Sequence, residues 1–101
     1  MDVADAWARV LAHQPKRRII YADVLRQIFS SGRAVTTETA RRLDMSVRTV
    51  RVYYKELIQR GVIEKKRYHI DGHWQWCYEW GADIKYAVQK GYRPIVKGGQ
   101  V

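Results

Sequence analysis

The sequence holds a single cysteine, Cys77, among its 101 residues. No intramolecular disulfide can form, and a reducing compartment is the simpler reading. No apolar run approaches the roughly 20 residues that span a bilayer. The opening stretch MDVADAWARVLAHQ starts acidic and lacks the basic region and cleavage site of a signal peptide. A cytoplasmic location is expected, with no membrane partner. The glycines are scattered at element ends, so no phosphate-cradling loop is present. No paired carboxylates sit in a catalytic arrangement. Cys77, His69 and His73 lie close together, but their spacing matches no zinc-ligand pattern and a structural zinc normally takes four ligands. Cys77 without nearby partners is also a poor nucleophile. An enzyme is not expected, nor a metal, a cofactor or a small-molecule ligand.

Negative charge is scarce too. Ten Asp or Glu face nineteen Lys or Arg, a formal net charge of +9. Such a basic protein calls for a polyanionic partner, either nucleic acid or an acidic membrane surface. The imbalance is concentrated. Residues 41–67 carry nine Lys or Arg against Asp44, Glu56 and Glu64. A concentrated patch suggests a docking surface, where an even spread would speak only for solubility. At 47% hydrophobic residues the chain can build a core, and its length suits one small domain.

Periodicity divides the chain. Val3, Ala6, Trp7, Val10 and Leu11 form one stripe of a short helix over 3–13. Pro15 opens a second helix to about Phe29, with Ile20, Val24, Leu25 and Ile28 at helical spacing, and Ser30-Ser31-Gly32 stops it. Ala34-Val35 is a short extended piece. Thr36 or Thr37 can cap a third helix through Leu43, and Ser46 a fourth over Val47 to Arg60, ended by Gly61. Beyond Gly61 the period becomes two. Strands at 63–70 and 73–80 flank Asp71-Gly72, a strong hairpin signal. A last helix is expected over 82–90 and a mobile tail after it. The division is an accessory helix in 1–14, a central domain in 15–80, a C-terminal helix in 81–92 and a tail in 93–101.

The stretch TTETARRLDMSVRTVRVYYKELIQRGVIEKK resembles winged helix-turn-helix DNA-binding domains, especially those at the N-termini of bacterial transcriptional repressors. Ala40 matches the small residue where two helices cross. Ser46 and Thr49-Val50 match the start of a recognition helix, and Leu57 with Gly61-Val62-Ile63-Glu64 matches the exit into the wing. The resemblance spans about Pro15 to Trp80. Asp44 departs from it, since glycine is commonest in this turn, but Asp tolerates left-handed dihedrals better than most residues. The fold expected is mainly α with a small β-hairpin, a winged helix-turn-helix with additional helices at both ends. The function implied is double-stranded DNA binding by a small transcriptional regulator.

At 100 degrees per residue, Val47, Tyr54, Leu57 and Ile58 fall within about 80 degrees of Val50. Arg48, Val52, Lys55 and Gln59 lie within about 40 degrees of the opposite pole, with Arg51 at the border. Basic residues in the first half of a helix gain nothing from the helix dipole, and a face seeking only solubility would mix signs. Arg48, Arg51, Val52 and Lys55 are the base-reading candidates: Arg can bridge guanine O6 and N7, and Val52 can touch a thymine methyl. Arg41, Arg42, Ser46, Thr49, Gln59, Lys65, Lys66, Arg67 and His69 are candidates for the DNA backbone.

A two-residue turn at Asp71-Gly72 places Ile63, Lys65, Arg67 and His69 across from Trp80, Tyr78, Trp76 and Trp74. Cations then face aromatic rings, where cation–π contact can form. The tryptophans admit two readings. They could stack unpaired bases. The expected reading is that Trp76, Tyr78 and Trp80 cover the core and only Trp74 stands near the tip. Alternatives to duplex binding are a winged-helix protein-interaction module and a single-strand binder using this hairpin. The terminal helices could extend the core or form a homodimer seam.

Overall fold

Residues 2–82, together with 84 and 85, are described in a computed structural model. Helix α1 (Val3–Leu11) is capped by Asp2, whose carboxylate accepts from the Asp5 amide at 2.8 Å. Its buried side is a row of small residues, Ala4, Ala8 and Ala12, which lets it lie close against α2 (Pro15–Ser31). Proline occupies the first turn of α2, where its missing N–H costs nothing. Gly32 ends that helix with φ 86°, a left-handed cap donating to the Ile28 carbonyl. Ile20, Val24, Leu25 and Ile28 are buried as their spacing implies.

Ala34 forms an antiparallel bridge with Tyr78, closed by amide–carbonyl bonds of 2.7 and 2.9 Å. The bridge decides where α3 (Thr36–Leu43) begins. The expected Thr36 or Thr37 cap is absent: Val35 is the N-cap and has no side-chain capping bond. The extended chain held at Ala34 ends too early for a threonine to occupy the capping position. Helix α4 (Val47–Gln59) follows, then β1 (Ile63–Ile70) and β2 (His73–Trp80).

The ribbon pairs in the register expected, from Ile63↔Trp80 out to Ile70↔His73. Asp71 and Gly72 both take positive φ, 51° and 80°, as a tight hairpin twisting with its strands requires. At the base, the Gly81 amide donates to the Val62 carbonyl at 2.8 Å. A Cβ on Gly81 would collide with the Gly61 carbonyl, so this close approach needs glycine.

One core serves all these elements. It runs from the α1 alanines through Tyr21, Val24 and Leu25 to Val50, Tyr54, Leu57, Ile63 and Tyr78. Tyr54 and Tyr78 meet edge to face at 4.7 Å, and Phe29 meets Trp80 at 5.0 Å. Trp76 corrects the expectation. It does not cover the core but is 52% exposed, beside Trp74 at 60%. The helical layer ends under Tyr78, and the outer half of the ribbon projects past it. The C-terminal helix and tail lie outside the described residues, apart from Ala82, Ile84 and Lys85. No helix among the described residues is long and apolar enough to cross a membrane.

Candidate nucleic-acid interface

The α3–turn–α4 unit is set by two local devices. Asp44 closes α3 in the left-handed region at φ 52°, ψ 53°, filling the position where glycine is commonest. Ala40 is buried where the helices cross, and its carbonyl accepts from the Met45 amide at 2.9 Å. Ser46 then caps α4: its oxygen accepts from the Thr49 amide at 3.1 Å, and its hydroxyl donates to Thr49 Oγ1 at 2.9 Å. Ser46 and Thr49 therefore hold each other at the tip of the helix.

Helix α4 divides as its angular pattern implies. Val50, Tyr54 and Leu57 are buried, while Val47, Tyr53 and Ile58 are half-buried. Arg48, Arg51, Val52, Lys55 and Gln59 are exposed. Among the described residues, Arg48, Arg51 and Lys55 enter no ion pair. The one acid of the helix, Glu56, is held from α2. Arg17 donates to both its oxygens, at 2.9 and 3.2 Å, and the Tyr21 hydroxyl donates to it at 2.5 Å. The Arg17 hydrogen bond holds the Glu56 carboxyl below its ordinary range. Burial, then the bond to Glu56, pushes the Tyr21 phenol up to about 12. The outer face of α4 is left with one sign of charge.

A buried polar chain fixes the angle at which α4 is presented. Gln27 of α2 donates to Thr39 Oγ1 at 2.7 Å and to Asp23 at 2.9 Å, and accepts from the Val35 amide at 3.0 Å. Thr39 in turn shares a 2.7 Å bond with the Tyr54 hydroxyl of α4. Burial, the dominant cause, raises the Tyr54 pKa, so this hydroxyl stays protonated. Sequence reasoning missed these residues. Their trace was there: Asp23 and Gln27 are polar positions one turn apart inside the apolar stripe of α2.

The backbone candidates separate into groups. Arg41 is exposed and, among the described residues, paired only with Glu38, at 2.9 Å. Arg42 turns onto Asp23 at 2.8 Å and also reaches Glu38. Lys65, Lys66, Arg67 and His69 are exposed on β1, with Lys66 on the face opposite the other three. On the shared face Lys65 lies 4.3 Å from the centroid of Trp76. The Arg67 guanidinium lies 4.9 Å from Trp74 and 5.8 Å from Trp76, and His69 lies 5.1 Å from Trp74. The expected cation–π contacts are therefore present.

The two basic surfaces meet. Arg51, Tyr54 and Lys55 of α4, with Lys65 and Trp76 of the ribbon and Thr36, line an open groove of ≈ 600 Å³. Such a surface can neutralise phosphates and present donors to base edges. No group of three His, Cys, Asp or Glu among the described residues could hold a metal ion, and Cys77 is buried as a free thiol.

Residues 23–64 match a family model described as winged helix-turn-helix DNA-binding. No curated protein matches the chain. The matched segment begins at Asp23 in α2 and ends at Glu64 as β1 opens, so it contains the whole α3–turn–α4 unit. Families of this kind are typically non-enzymatic, consistent with a surface built of donors and rings. The four helices and the antiparallel hairpin are those of a winged helix-turn-helix fold, built around a segment, residues 23–64, that is similar to winged helix-turn-helix DNA-binding domains.

Proposed function

We propose that the chain binds double-stranded DNA sequence-specifically and acts as a small transcriptional regulator, a repressor by its resemblance. The observation that carries the proposal is the one-signed outer face of α4, whose only acid is neutralised by Arg17. Helix α4 lies in a major groove, where Arg48 and Arg51 read guanine edges and Val52 meets a thymine methyl. Lys55 completes that reading set or meets the nearest phosphate. Arg41, the α4 tip at Ser46 and Thr49, and Gln59 meet the backbone. Lys65, Lys66, Arg67 and His69 follow the flanking backbone or minor groove. Arg42, engaged by Asp23, fastens α3 to α2 and leaves phosphate contact to its neighbours.

The proposal extends to a cytoplasmic, nucleoid-associated homodimer joined through terminal helices, reading two half-sites one helical turn apart.

Selection from a random duplex pool should return one motif with two-fold symmetry. Log K should fall linearly with log salt, and Lys55→Ala should lower that slope by about one if Lys55 meets a phosphate. Arg48→Ala should relax discrimination at particular positions, at a cost of about 1–3 kcal/mol there. Equal affinity of Arg48→Ala and the parent for every duplex tested would remove Arg48 from the reading set.

A further inference from the structure

The outer half of the ribbon is not explained by duplex reading through α4. Its exposed face alternates ring and cation from the tip inward: His69 with Trp74, then Arg67, then Trp76, then Lys65. No acid stands on this face. In the established register its other members are Ile63, Tyr78 and Trp80, all nearer the base. Trp74 and Trp76 are 60% and 52% exposed, and neither contributes to the core. A hairpin needing only solubility would not set two of the largest apolar side chains in water.

Cross-strand cation–π pairing could account for one ring and one cation. It does not account for a run of both, continuous with the groove beneath α4. Arg67 touches both indoles, yet a stacked guanidinium keeps its in-plane N–H donors for a phosphate. Rings for base faces with interleaved cations for phosphates is the arrangement that captures an unpaired strand.

We infer that the outer ribbon is a second nucleic-acid subsite, stacking unpaired bases on Trp74 and Trp76 while Lys65 and Arg67 neutralise their phosphates. The favoured ligand is then a duplex with an unpaired stretch beside the segment held by α4, an extension that rests on the duplex reading above. Double strands alone cannot satisfy the rings, because paired bases keep their faces within the stack.

The test compares a blunt duplex, the same duplex with a short oligothymidine tail, the same duplex with an abasic tail of equal length, and oligothymidine alone. The full chain is followed by its tryptophan emission. The oligothymidine tail should raise affinity about fivefold or more and quench the indoles, and the abasic tail should do neither. Trp74→Leu with Trp76→Leu should bring the ratio of tailed-duplex to blunt-duplex affinity down to about one while leaving the thermal midpoint unchanged. Trp7 and Trp80 remain as internal references. An abasic tail that binds as well as oligothymidine would reduce the effect to phosphate charge and overturn the inference. Equal quenching by the blunt duplex would put the rings in a minor groove and overturn it too. If nothing unpaired quenches the indoles, the ribbon is left as a protein-docking surface. Should oligothymidine quench through Trp74 and Trp76 while no blunt duplex binds, the ribbon subsite stands and the duplex reading of α4 falls.

Discussion

Glu56 decides more than its single charge suggests. Left free, it would place an acid on the helix that meets a polyanion. Instead Arg17 and Tyr21 hold it against α2. Because its pKa is depressed in the folded state, the contribution of this clasp is fully present above the ordinary value of 4.5. It is lost as pH falls through the lower folded value. Glu56→Gln should therefore flatten the acid limb of a stability–pH curve below about pH 4.5. At pH 7 the loss should be roughly 1 kcal/mol or less, since both partners keep some solvent access. Chemical denaturation across the acid range checks this, and a curve parallel to the parent's would show that the clasp carries no linkage. That Glu56 is the only acid of its helix could be read directly from the letters. That Arg17 and Tyr21 would engage it could not, because they lie 39 and 35 positions away.

Elements were legible wherever one local rule controlled them. The hairpin register follows from a two-residue turn and an alternating pattern, and every pair from Ile63↔Trp80 to Ile70↔His73 obeys it. The two faces of α4 follow from a 3.6 period in the same way. The start of α3 was not legible, because a bridge from Ala34 to Tyr78 sets it from outside the segment. Trp76 shows the other limit. Alternation tells which face of a strand a residue occupies, but not how far the supporting layer extends beneath that face. The ribbon base has its own weak point at Gly81, where a methyl group would strike the Gly61 backbone. Gly81→Ala should lower stability by about 1–3 kcal/mol, as overpacking does, and lower the thermal midpoint. A variant melting with the parent would mean that the two backbone segments separate readily at this point.

At the scale of the whole molecule, the four tryptophans fall into two classes. Trp80 lies edge-on to Phe29 and Trp7 is half-buried against the core, whereas Trp74 and Trp76 stand in water. The chain thus carries two separate optical channels. A small neutral quencher such as acrylamide should extinguish one part of the folded protein's emission readily and the rest only with difficulty, giving a downward-curving Stern–Volmer plot. Heating should then convert that curve into a straight line, as the sheltered pair joins the accessible one. A straight plot at low temperature would mean that all four indoles share one environment. A base stacked on the ribbon should dim one channel and leave the other lit, so occupancy and unfolding can be followed in a single cuvette without a label.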